Sequence, residues 1–152
     1  MKKILFATSE AVPFIKTGGL ADVAGSLPKF FDKEKYDVRV MLPKYMCMKE
    51  SWKEKLQYKT HFYMDLGWRT QYVGVLETEY EGVTFYFIDN EQYFRRPGLY
   101  GYDDDYERFA YFDFAVLELI SHLNIQPDIL HLHDWQTAMI AMLYKERYCY
   151  YE

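Results

Sequence analysis

The chain has 152 residues, the length of one ordinary domain, and a chain of this size buries roughly 70% of its unfolded surface, enough for a core without staples. Half the residues are hydrophobic and 27% are charged, which excludes disorder, collagen-like repeats and coiled coil. Eighteen basic residues against 23 acidic ones give −5, and Arg95-Arg96 is the only adjacent arginine pair, so no basic patch argues for nucleic acid.

No apolar run approaches the ~20 residues that a membrane helix needs. The opening Met1-Lys2-Lys3-Ile4-Leu5-Phe6-Ala7-Thr8 is too short for a secretory signal. Two cysteines, Cys47 and Cys149, suit neither a disulfide framework nor a zinc cluster, and the expected compartment is the cytoplasm. The outlying quantity is aromatic content, 20% with 16 tyrosines. Tyrosine offers a flat face and a hydroxyl, which suits sugars, although a tyrosine-lined core rim gives the same composition.

Ile4 to Ala7 is a continuous apolar run, the pattern of a parallel strand covered on both faces. A loop from Pro13 to Gly19 follows. A helix is then expected with Leu20, Val23, Ala24 and Leu27 on its buried face, ending near Phe31. Asp37 to Leu42 reads as a second strand closed by Pro43, and strand, helix, strand implies a right-handed parallel crossover. Leu56 to Leu66 and Arg69 to Glu77, around Gly67-Trp68, read as an antiparallel hairpin, and Val83 to Ile88 as another strand after Glu81-Gly82. Asp103-Asp104-Asp105 is placed to cap a long helix, reinforced by Glu107, with Phe109, Phe112, Val116, Leu119, Ile120 and Leu123 on one stripe. Pro127-Asp128 opens a last strand, Ile129 to His133, and Asp134 caps a closing helix through Met139, Ile140, Met142 and Leu143. The fold class is α/β, a Rossmann-like parallel sheet with helices on both faces and an antiparallel hairpin insertion, in one domain spanning 1–152.

In such sheets ligands bind beyond the carboxyl ends of the strands. Two loops fall there, Ser9 to Leu20 and His133-Asp134-Trp135. Lys16-Thr17-Gly18-Gly19-Leu20 sets paired glycines before a helix N-terminus, where amides and partial positive charge favour an anion and Lys16 adds a point charge. It is neither a Walker loop nor the spaced glycine fingerprint of NAD enzymes, and a tight turn with a solvated lysine is the alternative. His131 and His133 share a strand face, with His131 read as a satisfied core histidine. A metal held by His131, His133 and Asp134 is the competing reading, but the remaining histidines, His61 and His122, are not placed near this loop.

Ser9-Glu10-Ala11-Val12-Pro13-Phe14 with Lys16-Thr17-Gly18-Gly19-Leu20-Ala21-Asp22-Val23 resembles the N-terminal signature of bacterial glycogen synthases and plant starch synthases. The likeness continues in Val38-Arg39-Val40-Met41-Leu42-Pro43-Lys44-Tyr45, in Leu99-Tyr100-Gly101-Tyr102, in Asp105-Tyr106-Glu107-Arg108-Phe109 and in Pro127 to Ala138 through His131-Leu132-His133-Asp134-Trp135. The resemblance implies the N-terminal half of a GT-B glycosyltransferase. Such an enzyme moves glucose from ADP-glucose to the non-reducing end of an α-1,4-glucan such as glycogen, with retention and with no metal or other cofactor. It further implies that Lys16, Gly18 and Gly19 bind the donor, that Asp22 and Tyr100 line the sugar side, and that Asp134 and His133 form the catalytic end, Asp134 on the glucose hydroxyls. Family members continue for some three hundred residues, so the C-terminal nucleotide-binding domain is expected to be missing and the chain alone to be inactive. A stand-alone sugar- or nucleotide-binding module is the alternative. Self-association is expected through an unpaired edge at Ile129 to His133 or through the closing helix and its Tyr148-Cys149-Tyr150-Tyr151 tail.

Overall fold

The structure, a computed structural model, describes residues 1–149. Six strands form one sheet: β1 (Lys2–Ala7), β2 (Tyr36–Pro43), β3 (Gln57–Leu66), β4 (Arg69–Tyr80), β5 (Val83–Asp89) and β6 (Ile129–Leu132), in the order β3-β4-β5-β2-β1-β6. β6, β1, β2 and β5 run parallel, and β4 and β3 extend the sheet antiparallel beyond β5. The helices are α1 (Gly19–Ser26), α2 (Glu50–Lys53), α3 (Glu91–Phe94), α4 (Asp105–His122) and α5 (Ala138–Leu143), with 3₁₀ turns at Leu27–Phe30 and Trp135–Thr137 and a π-turn at Tyr144–Tyr148. Among the described residues no helix is long and apolar enough to cross a membrane. The expected antiparallel hairpin forms the far wing of the same sheet.

Alternation along the central strands divides the core between two faces. Leu5 and Ala7 of β1, with Met41 and Ile88, pack against Phe109, Phe112, Val116 and Leu119 of α4. Each of these side chains other than Ala7 contributes roughly 1.5–3 kcal/mol by leaving water. Ile4 and Phe6 point the other way, with Val40, Leu42, Phe85 and Phe87, and are covered by Phe14 and Ala24. The stripe expected on α4 is present, with Ile120 and Leu123 only partly buried at its end.

The expected stripe on α1 is not. Of its members Ala24 alone is buried: Val23 is 53% and Leu27 37% exposed, and the helix buries Ala21 and Gly25 beside Ala24, followed by Pro28. The reason is a close approach: a Cβ at Gly25 would stand 2.1 Å from the Val12 carbonyl oxygen. Small residues let the helix sit directly on the loop that follows β1, and bulky apolar ones are turned outward.

The aspartate run also works differently from a simple cap. Asp104 occupies the N-cap of α4 without a side-chain cap bond and pairs with Arg96 instead. Asp105 turns back and accepts from the backbone N–H of Gly101 (2.8 Å) and Tyr102 (3.2 Å). β6 ends at Leu132, one residue short of His133, and lies at the edge of the sheet. Of the tyrosine-rich tail, Tyr150 and Tyr151 lie outside the described residues.

Candidate active site

β1 delivers the chain to the carboxyl end of the sheet, where Thr8, Ser9 and Glu10 are buried although all three are polar. Burial of a carboxylate demands partners, and Glu10, 1% exposed, has four. One oxygen accepts from the backbone N–H of Thr17 (3.3 Å) and Gly18 (3.1 Å), the other from the hydroxyls of Thr17 (2.5 Å) and Tyr100 (2.9 Å). Glu10 is therefore the anchor of the Lys-Thr-Gly-Gly turn. The Tyr100 hydroxyl also meets Ser9 Oγ at 2.6 Å, and Tyr45 donates to the Ser9 carbonyl at 2.8 Å. Burial pushes the Tyr100 hydroxyl's pKa up, with the charge of Glu10 adding to it, so it stays a donor at any physiological pH.

Above this anchor the turn is open. A Cβ at Gly18 or Gly19 would meet nothing within 4 Å, and Gly18 is in extended backbone that any residue adopts. The glycines thus leave space for a ligand to reach the start of α1, where unpaired amides carry partial positive charge. Lys16 stands beside this space, its ammonium 2.7 Å from Asp22, both groups about half exposed. Lys16 is thus paired with Asp22, and Glu10 links the Thr17-Gly18 turn beside them to Tyr100.

The segment around Tyr100 is held at Leu99 and Tyr102 by Arg108, which is fully buried in α4. Its guanidinium donates to the carbonyls of Tyr93 (2.7 Å) and Leu99 (2.8 Å) and to Asp105 (2.8 Å), and lies over the Tyr102 ring. Gly101 has φ +94, a conformation that favours glycine and turns the chain back toward α4. The sequence pattern assigns no role to Glu10 or Arg108, and to Asp105 only a share in capping α4. The only sequence signal for them is a charged residue inside an otherwise apolar or loop segment.

The second loop reaches the cluster through aromatic contacts. Trp135 packs on Phe109 at 5.4 Å and Phe109 on Tyr100 at 5.8 Å, and Asp134 is near enough for its charge to act on the Tyr100 hydroxyl. Asp134 has φ 61 and ψ −174, a region that is nearly glycine-only and costs about 1–3 kcal/mol. Its side chain is exposed and accepts from the Trp135 N–H at 2.8 Å, capping the 3₁₀ turn rather than α5 itself. Thr137 holds this geometry: its hydroxyl donates to the His133 carbonyl (2.9 Å) and receives the His133 N–H (2.8 Å).

His133 does not join the cluster. Its ring is buried and stacked on Phe6 at 5.3 Å, beside His131 at 4.6 Å, and Nε2 has no hydrogen-bond partner. Burial, with His131 adding to it, lowers its pKa to about 4, so it is neutral near pH 7. His131 is packed against Phe6 at 4.4 Å but is not hydrogen-bonded at Nδ1, so it is not the satisfied histidine the pattern suggested. Among the described residues no three His, Cys, Asp or Glu side chains converge as metal ligands. His61 lies in the hairpin and His122 stacks on Phe62.

A mixed α/β sheet whose parallel strands carry an open glycine turn, a lysine, carboxylates and aromatic faces in their carboxyl-end loops defines a Rossmann-like domain. The chain belongs to the starch synthase catalytic domain family, which it matches over residues 3–152. It is 60% identical over 149 residues to a glycogen synthase of Lachnospira eligens, covering 97% of this chain and 31% of that protein. A glycogen synthase of Lachnoclostridium phytofermentans is 58% identical over 143 residues, 93% of this chain and 30% of that one. Among solved structures, the catalytic domain of starch synthase IV from Arabidopsis thaliana, bound to ADP and acarbose, superposes with a TM-score of 0.86 at 33% identity, covering 97% of this chain and 31% of that one. The chain spans about a third of the length of these relatives.

Proposed function

We propose that this chain is the N-terminal part of a glycogen synthase, a retaining glycosyltransferase that moves glucose from ADP-glucose to the non-reducing end of an α-1,4-glucan. The observation that carries the reading is the buried carboxylate of Glu10, which ties the open Thr17-Gly18 turn, beside Lys16 and Asp22, to Tyr100. In this reading the donor's diphosphate lies in the open space over Gly18 and Gly19, with the Gly18 N–H kept on Glu10, and Lys16 exchanges Asp22 for phosphate when the donor arrives. Asp22 and Tyr100 then border the sugar. Asp134 accepts from the glucose hydroxyls, its strained backbone keeping the carboxylate at the mouth of the loop. His133 acts from beneath, as a neutral packed ring that sets the strand end on which Asp134 is mounted. The homologues favour this reading over a stand-alone binding module.

Transfer between two bound partners depends on holding them aligned, which is worth about 7–11 kcal/mol. The relatives' remaining two thirds would supply the other wall of the cleft, so the 152-residue chain by itself does not elongate glucan. The reading places the enzyme in the cytoplasm, where the free thiols of Cys47 and Cys149 are at home. The test is transfer of labelled glucose from ADP-glucose to glycogen by a full-length enzyme that carries this domain. Lys16→Ala is expected to lower turnover by on the order of 10²-fold, as loss of one preorganised electrostatic group does, with little change in melting temperature. Wild-type kcat/KM in that variant makes Lys16 a solvated loop residue and removes the donor assignment.

A further inference from the structure

The loop that carries Asp134 is strained, and the polar groups around it are poorly satisfied. Among the described residues five buried side-chain polar atoms lack a hydrogen-bond partner, and four of them, on Asp113, His131, His133 and Gln136, belong to the elements that frame this loop. Buried polar atoms in native proteins are nearly always paired, so a concentration of exceptions marks a place where the fold serves something besides stability. His131 and His133 are accounted for by their packing on Phe6. Asp113 is not: it is 1% exposed in the middle of α4, Oδ1 has no partner, and no ion pair reaches it among the described residues. Its position ties it to the Asp134 loop. Phe109, one turn earlier on the same face of α4, packs on Trp135 at 5.4 Å. Asp113 meets the next stretch of chain, where the Met139 backbone N–H hydrogen-bonds to its carboxyl at the start of α5. Only the 3₁₀ turn Trp135–Thr137 and Ala138 separate Met139 from Asp134.

We propose that Asp113 is a positioning residue for glucosyl transfer: as a neutral carboxyl it seats the start of α5 on α4 and so fixes Asp134, and its ionisation releases that loop. The inference rests on the synthase reading for the role of Asp134 and gives that site a dependence on pH. Nothing charged offsets an ionised Asp113. Neither α5 nor the 3₁₀ turn before it carries a charged side chain, and β1 and β6 bring Leu5, Ala7, Leu130 and Leu132 to the same cluster. The charges that border this layer are committed elsewhere: Arg108 to Asp105, Glu118 to the Tyr148 hydroxyl, and Arg147 over the Phe114 ring. Asp134, exposed at the head of the turn, is another carboxylate and offers no relief. Burial accordingly raises the Asp113 pKa to about 9, with the Met139 N–H opposing. When solvent hydroxide takes the proton, a carboxylate remains among Val116, Leu117, Ile140 and Leu143, which α4 and α5 bury together. An unpaired charge in apolar surroundings costs more than one hydrogen bond returns, so the seam opens to water and the Asp134 loop moves with it.

The first arm of the test reads the loop itself in the 152-residue chain, labelled with 5-fluorotryptophan and with the Trp135 resonance assigned from Trp135→Phe. In the wild type the Trp135 ¹⁹F shift should step with a midpoint at about pH 9, and Asp113→Asn should abolish that step. Tyr106→Phe, which removes the exposed phenol 6.3 Å from Trp135, should keep it. The second arm measures transfer in a full-length enzyme that carries this domain. The neutral fraction of a carboxyl with this pKa falls about tenfold between pH 8 and pH 10, so the ratio of kcat in Asp113→Asn to kcat in the wild type should rise about tenfold over that range. Asp113→Leu, which leaves the Met139 N–H unpaired, should lower kcat at pH 7.5 by about tenfold without changing the Kd for ADP, because the diphosphate sits over the other loop. No Trp135 step in the wild type, an equal step in Asp113→Asn, or an equal alkaline decline of kcat in both would each overturn the proposal. Absence of transfer from ADP-glucose by the full-length wild type, with the Trp135 step intact, would sink the synthase reading and leave the coupling of Asp113 to the loop standing.

Discussion

Asp134 offers the sharpest separation of structure from function in this protein. Its φ of 61 and ψ of −174 place an aspartate where a Cβ is penalised by about 1–3 kcal/mol, and among the described residues its side chain accepts one hydrogen bond in return, from the Trp135 N–H. Asp134→Gly removes the strain and loses the cap, and glycine in place of an N-capping side chain costs only a few tenths of a kcal/mol. The net expectation is a gain of about 1 kcal/mol or more, which in a domain of this size raises the melting temperature by about 2–4 °C. Glycine also loosens the unfolded chain, which trims the gain. Asp134→Asn keeps the cap and the strain, so its melting temperature should match the wild type. Both variants should lose glucosyl transfer in a full-length enzyme that carries this domain. The assay pairs thermal unfolding of the 152-residue chain with labelled transfer in the longer enzyme. A glycine variant that melts below the wild type would show that the backbone is not strained. Transfer at the wild-type rate in both variants would show that the strain is unrelated to the reaction.

Gly25→Ala should cost about 1–3 kcal/mol, because the new methyl meets the Val12 carbonyl at 2.1 Å and backbone must move; a melting temperature within a degree of the wild type refutes this packing. Asp113 is 1% exposed on α4, and burial raises its pKa to about 9 although the Met139 backbone opposes it. The unfolded chain releases that proton near pH 4 while the folded one keeps it, so stability falls as pH rises between about 4 and 9, by at most about 1.4 kcal/mol per unit. Urea unfolding at pH 5 and pH 8 should show this slope, and Asp113→Asn should flatten it; an equal slope in the variant removes Asp113 as the cause. In light scattering, the chain alone should self-associate through the β6 edge, where Ile129 is exposed; a monomer at high concentration rejects that.

Much of the fold was legible from local pattern. The run Ile4 to Ala7, the strand Asp37 to Leu42 before Pro43, the hairpin around Gly67-Trp68 and the stripe from Phe109 to Leu119 all report themselves, because strand and helix periods are local properties of the chain. So are the glycine turn and the His-Asp-Trp loop, whose order along the chain places both at the carboxyl ends of parallel strands. What local pattern missed depends on neighbours distant in sequence. α1 buries alanine and glycine rather than Val23 and Leu27 because the loop at Val12 lies too close for larger residues, a distance no period encodes. Glu10 and Arg108 look like surface charges until the fold sets Thr17, Gly18 and Tyr100 around one and three acceptors around the other. The histidines at 131 and 133 share a face as strand geometry demands, yet only packing on Phe6 makes His133 a buried neutral ring rather than a ligand. Local pattern determined the six strands, the longer helices and their order, while the short helices α2 and α3 do not announce themselves. Burial, strain and the partners of charged groups were decided by tertiary structure, since each is set by atoms that only folding brings together.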